Sequence, residues 1–153
     1  MKAHDSKPSF ISSQVTTGRY FFLDVNPSNR RDLVVVCGGY EQCQSDYRMQ
    51  RERFAYHSIE FVTSGRGQVR LGEQWHELSP ASVFSYGPEV AHEIISDQQA
   101  PLGKYFLDFA GRRSKALLNR AGLAAGQHRV SIHSHVVTAL FDVMIEAGST
   151  AGE

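Results

Sequence analysis

Glu60 lies in the run Tyr56-His57-Ser58-Ile59-Glu60-Phe61-Val62, a carboxylate with apolar neighbours on both sides. Buried and unpaired it would be costly. It must therefore meet a cation, a metal, a hydrogen-bonding ligand or water, and Arg51, Arg53 and Lys104 are the cations that could instead form a structural ion pair with it. His92 follows Pro88 by four residues and shares a strand face with Ile94 and Ser96. Alone, such a histidine is a hydrogen-bonded core or rim residue; facing Glu60 across a barrel, it is a ligand contact or half of a metal site. Lys104, Phe106 and Asp108 alternate against Tyr105, Leu107 and Phe109. A Lys and an Asp on one inward face suit a hydroxylated ligand. Trp75 either stacks on a sugar or covers the core.

Short runs punctuated by glycine and proline carry these residues. Tyr20 to Val25 leads into Asn26-Pro27-Ser28-Asn29, and Leu33 to Cys37 is an apolar strand stopped by Gly38-Gly39, with a polar loop from Tyr40 to Asp46. Tyr47 to Phe54 alternates without a clean apolar face. His57 to Thr63 runs into the Gly65-Arg66-Gly67 turn, Gln68 to Leu71 and Gln74 to Leu78 form a hairpin at Gly72, and Ser82 to Tyr86, His92 to Ser96 and Gly103 to Phe109 complete the set. About nine strands at this spacing predict a mainly β barrel or sandwich rather than βαβ units. Strand parity puts Tyr56, Ser58, Glu60 and Val62 on one face and His57, Ile59, Phe61 and Thr63 on the other.

After Gly111 the period becomes helical. Ser114 is placed to cap Lys115 to Ala121, with Gly122 as the stop. A second helix, about Ser134 to Ala147, carries the stripe Val137, Leu140, Phe141, Met144 and Ile145. That stripe needs a partner, either the outside of the barrel or the same helix of a second copy. The expected organisation is an N-terminal arm over 1–19, a barrel over 20–111, a helical segment over 112–148 and the start of a linker over 149–153.

Composition narrows the function. The 153 residues carry 16 Lys plus Arg against 16 Asp plus Glu, so no bulk positive field supports nucleic-acid binding. No apolar run has signal-peptide or membrane-span length, which makes the cytoplasm the expected compartment and leaves a membrane out of the expected partners. Cys37 and Cys43 fit neither a zinc knuckle nor a redox pair; Cys37 reads as an inward strand residue and Cys43 as a loop thiol. No serine lies in a nucleophile elbow, and no glycine-rich phosphate loop precedes a helix. His4, His128, His133 and His135 read as solvated.

Taken in order, these residues resemble a cupin barrel, a double-stranded β-helix of jelly-roll type followed by two helices. The resemblance is specifically to the N-terminal sensing domain of AraC-type transcription regulators. It rests on Tyr56 to Val62 running into Ser64-Gly65-Arg66-Gly67, on Leu78-Ser79-Pro80 before Val83-Phe84, on Pro88 ahead of His92, and on Lys104 to Phe109. It implies a small effector, often a sugar or sugar derivative, in the barrel, contacted by Tyr56, Glu60, His92, Lys104, Phe106 and Asp108, with Arg51, Arg53 and Trp75 near the rim. It implies a homodimer through the C-terminal helices, an arm whose Phe10 is a lid, and DNA binding through a helix-turn-helix region that these residues do not contain. Cupin enzymes similar to this pattern bind metal through a His-x-His pair, a Glu and a second His. Phe54 and Tyr56 stand where the pair would be, so no metal or other cofactor is expected. A small metal-dependent cupin isomerase or dioxygenase is the alternative, and a structural dimerisation module with a filled barrel is a third reading.

Overall fold

The computed structural model describes residues 7–151. Two sheets form the barrel: a six-stranded one in the order β1, β2, β9, β4, β7, β10 and a four-stranded one in the order β3, β8, β5, β6. The strands are β1 (Val15–Phe22), β2 (Val34–Cys43), β3 (Arg48–Arg51), β4 (His57–Ser64), β5 (Gly67–Leu71), β6 (Gln74–Leu78), β7 (Ser82–Tyr86), β8 (His92–Ser96), β9 (Gly103–Ala110) and β10 (His128–Val130), with helices α1 (Ser114–Arg120) and α2 (Ser134–Thr150). All neighbouring strands pair antiparallel. The architecture is the cupin-type jelly-roll barrel followed by helices.

The Gly38-Gly39 pair does not stop β2, which continues to Cys43. Its glycines let the neighbouring strand come close: a Cβ on Gly39 would lie 2.2 Å from the Arg19 carbonyl oxygen, and one on Gly38 would lie 2.9 Å from the Phe21 ring. The extension turns the expected polar loop into strand and brings Glu41 into the ladder opposite Lys104. It also puts Cys43 in the core rather than in a loop; both cysteines are free and buried. Residues 15–19, expected in the arm, are strand because they pair with the same extension, from Cys43 back to Tyr40.

The interior is assembled from the two inner faces. Val62, Val69, Leu78, Phe84, Ile94 and Leu102 are among its fully or nearly fully buried members. On the outer face, Phe61 and Tyr105 alternate out of β4 and β9 to meet α2, with Phe141 stacked at 6.4 Å from Phe61 and 5.1 Å from Tyr105. Phe141 and Ile145 are buried there, and Val137 and Met144 pack beside them. Each large buried side chain contributes roughly 1.5–3 kcal/mol. The predicted stripe therefore divides: most of it covers the barrel, while Leu140 is 60% exposed.

At the helix ends the structure corrects two expectations. Arg113, not Ser114, is the N-cap of α1; Ser114 is the first helical residue, and its buried hydroxyl has no partner. The expected linker start is helix as far as Thr150, because Gly148 packs on the Phe21 ring and the Ser149 and Thr150 hydroxyls donate to the carbonyls of Ile145 (2.7 Å) and Ala147 (3.0 Å). β10 is a strand the sequence gives no sign of, three residues paired to β7. It draws His128 out of solvent to stack on His76 with ring centroids 5.0 Å apart. His133 and His135 are exposed, and His4 lies outside the described residues.

Gly39→Ala is expected to destabilise the domain by at least about 1–3 kcal/mol, since its methyl meets backbone rather than a movable side chain. Equilibrium urea unfolding checks this.

Candidate functional site

Lys104 is the centre of the barrel interior. It projects from β9 and is 1% exposed. Its ammonium donates to Glu60 Oε1 on β4 at 2.5 Å and to Glu41 Oε1 on β2 at 3.1 Å. The outer oxygens are held as well: the Tyr86 hydroxyl donates to Glu60 Oε2 (2.5 Å) and the Tyr20 hydroxyl to Glu41 Oε2 (2.9 Å). Burial alone would drive the proton off Lys104, but Glu60, Tyr47 and Glu41 outweigh it and hold the ammonium well above its ordinary pKa. Removing one partner from such a buried cluster costs about 3–5 kcal/mol.

Asp108, on the same inward face of β9, has no cation at bonding distance. The Cys37 thiol lies 3.4 Å from Oδ2, whereas Oδ1 and the hydroxyl of Ser58, its register partner on β4, are buried without partners. Burial, reinforced by Glu60 and opposed by the nearby Ser58 hydroxyl, the Cys37 thiol and Arg51, pushes the carboxyl up to about 7. His92 is fully buried, stacked 3.7 Å from the Tyr86 ring, with Nε2 3.4 Å from the Arg51 guanidinium. Burial and Arg51 hold it down to about 3, so it stays neutral, and Nε2 faces the guanidinium as an acceptor.

The arm closes this space. Phe10 packs edge-on against Phe54 (5.8 Å) and Tyr56 (5.6 Å), and its carbonyl accepts from the Arg51 guanidinium. With Phe10, Ile11 and Ser12 in place, about 20 Å³ remains between them and Glu60, Lys104 and Asp108. That is room for about one water molecule.

Of the residues expected at the site, Glu60, Lys104, Phe106, Asp108 and Arg51 line this space. His92 stands behind Tyr86, and Tyr56 braces Phe10 while its hydroxyl donates to the Val25 carbonyl at 2.6 Å. Arg53 and Trp75 are not brought in. Arg53 lies beyond the end of β3 and is exposed, and Trp75 is 49% exposed on β6. Glu41, Ser58, Tyr47 and Tyr86 were missed. Glu41 has the parity of Cys37 and Cys43, a signal hidden once the strand was ended at Gly38; β7 is buried on both faces and offers no alternation to read.

The residues do not suit a metal. Both oxygens of Glu60 are engaged by donors, and a guanidinium rather than an open position faces Nε2 of His92. His57 points to the outer face and stacks on Phe109 at 5.9 Å. Among the described residues, no three His, Cys, Asp or Glu side chains are placed to share an ion.

Asp108 sets a pH dependence. Because its carboxyl is raised from 3.8 to about 7 in the folded state, its contribution is fully favourable below pH 3.8 and is lost as pH rises to about 7. The loss is on the order of 4 kcal/mol. His92, lowered to about 3, acts in the opposite sense as pH falls below 6.5. Asp108→Asn should thus gain stability over the wild type between pH 4 and 7, measured by urea unfolding across that range; a pH-independent difference would contradict the assignment.

A sequence model described as the AraC-like ligand binding domain matches residues 35–152. The MmsAB operon regulatory protein of Pseudomonas aeruginosa is 31% identical over 104 residues, 65% of this chain and 34% of that protein. The chain thus spans about a third of that curated relative's length. Among solved structures, the protein YhaK from Escherichia coli superposes with a TM-score of 0.56 at 11% identity, over 78% of this chain and 53% of that one, a likeness of fold alone. With most of its length matched by the family model, the chain belongs to the AraC-like ligand-binding domains.

Proposed function

We propose that this domain senses a small hydroxylated metabolite, a sugar or sugar derivative, inside the barrel, and that it works as a homodimer within a transcription regulator rather than as an enzyme. The observation that carries the reading is Asp108 Oδ1, a buried carboxylate oxygen without a hydrogen-bond partner on the lining of a small space covered by the arm, with Ser58 opposite it on β4. Buried polar groups are ordinarily satisfied. A ligand hydroxyl bonded to Asp108 Oδ1 would satisfy it, with Ser58 able to join the same network, and the neighbouring Glu60–Lys104–Glu41 cluster would hold the adjoining polar wall rigid. The arm fills the barrel, so binding requires Phe10 to Ser12 to move, and the ligand then biases where the arm sits. This also weighs against a purely structural filled barrel, because the filling comes from a segment outside both sheets and leaves Asp108 Oδ1 unsatisfied.

The output surface is the second face of α2. Val136, Leu140 and Val143 are exposed at 47%, 60% and 63%, and Ala139 and Ala147 are exposed between them. The core of the stripe is apolar, with Glu146 at one edge, and its alanines permit close approach by a second copy. In a regulator of this family, a change at that interface would alter how DNA-binding regions outside these residues are presented.

A saturating effector at about 100 times its Kd adds about 2.7 kcal/mol of stability, a rise in Tm of roughly 5–10 °C. Screening sugars and their derivatives by thermal shift should find such a compound, and Ser58→Ala should weaken it; a panel that leaves Tm unmoved contradicts the sensing role. Leu140→Glu should convert the dimer to a monomer in light scattering and abolish the dependence of Tm on protein concentration; a dimer that persists removes α2 as the interface.

A further inference from the structure

We infer that the effector is an acid, its carboxylate seated on the Arg51 guanidinium where the Phe10 carbonyl now sits and its hydroxyl held by Asp108 and Ser58. The inference rests on the sensing role proposed above and names the chemical class that role would take.

Among the described residues, the buried Lys104, Glu60, Glu41 and Glu93 have ion-pair partners, whereas Asp108 and the half-buried Arg51 have none. Lys104 is flanked by Glu60 and Glu41, and Glu93 is met by Arg48 at 2.6 Å and Arg70 at 3.8 Å. Among the described residues, no carboxylate lies within ion-pair distance of Arg51. Its polar partners are a backbone carbonyl of the arm and the neutral Nε2 of His92, and its guanidinium lies over the Phe54 ring, 4.4 Å from the centroid. Phe54 and His92 are both buried and pack edge to face, which fixes the plane of the fork.

A guanidinium is a planar fork matched to two carboxylate oxygens. The Phe10 carbonyl offers one neutral oxygen and satisfies only part of it. A ligand carboxylate would replace that contact with two parallel bonds to an opposite charge, the bidentate geometry a guanidinium fits best. A neutral polyol brings no such exchange. Lys104 is no rival seat, since both of its carboxylates are already in place. The arm then becomes a built-in competitor of the acid, because Phe10 and the carboxylate claim the same donors.

The pH dependence separates an acid from a neutral ligand. The groups facing Asp108 are Glu60 and Ser58 from β4, Cys37 from β2 and Arg51 from β3, with Tyr86 on β7 and Tyr56 nearby. Adding an anion to this set favours protonated Asp108, which can donate its proton to the ligand. Affinity for an acid should fall as pH rises through about 7, where Asp108 ionises. A neutral hydroxyl would gain from the ionised acceptor and show the opposite trend.

The test is calorimetric titration of the whole chain with matched pairs, glycerate and glycerol, gluconate and glucose, galacturonate and galactose, at pH 6 and pH 8. The acid of at least one pair should bind at least tenfold tighter than its neutral partner, and more weakly at pH 8 than at pH 6. Arg51→Gln should lose at least tenfold, Arg51→Lys should lose part of that, and Phe10→Ala should bind the acid severalfold tighter. A neutral partner that binds equally well or better, or an acid whose affinity rises with pH, overturns the acid inference while leaving the sensing role standing. A folded Arg51→Gln or Arg51→Lys that binds the acid like wild type overturns it too. Should no compound bind either wild type or Phe10→Ala, both the acid and the sensing role fall.

Discussion

A buried ammonium between two carboxylates is the interaction on which the rest of this domain depends. Lys104, Glu60 and Glu41 come from three adjacent strands, and each is almost wholly removed from water. None could stay charged there alone, so the register of β2, β9 and β4 is tied to their meeting. A one-residue slip of β9 would turn Lys104 outward and leave two carboxylates facing each other in a dry interior. Such a cluster adds little to net stability over a well-packed apolar core. Its effect is to fix a polar wall inside a barrel that is otherwise lined by Val, Leu, Ile and Phe.

That wall divides the interior into satisfied and unsatisfied halves. Glu60 and Glu41 have donors on both oxygens, whereas Asp108, two residues along the same face from Phe106, keeps an oxygen without a partner beside Ser58. Arg51, held in plane by Phe54 and His92, reaches a carbonyl of the arm instead of a carboxylate. The same constraint leaves Glu60 and His92 ill placed to hold a metal: a Glu whose oxygens are taken by Lys104 and Tyr86, and a His that faces a guanidinium, are committed to hydrogen bonds. On the proposed reading, Asp108, Ser58 and Arg51 are what is left for a ligand, with the arm as the part that moves.

Much of this was legible in the sequence because strand parity is a rigid rule. Glu60 inward and His57 outward followed from alternation alone, as did Lys104, Phe106 and Asp108 together against Tyr105 and Leu107. What was not legible depended on contacts between strands distant in sequence. Gly38-Gly39 looks like a stop until β1 is seen lying against it, and that misreading hid Glu41, the second carboxylate of the cluster. Arg53 and Trp75 were placed near the rim from residue type, but β3 ends at Arg51 and β6 is the outermost strand of its sheet. The α2 stripe was visible as apolar, but its division between a covered and an open face required the barrel beneath it.

The central claim is that Lys104 and Glu60 act as one unit, and a double-mutant cycle measures that directly. Lys104→Met, Glu60→Gln and the double variant, compared with the wild type by urea unfolding at pH 7, should give a coupling energy of about 2–3 kcal/mol, with the double variant less damaged than the sum of the singles. Single-variant effects that add to within about 0.5 kcal/mol would contradict it.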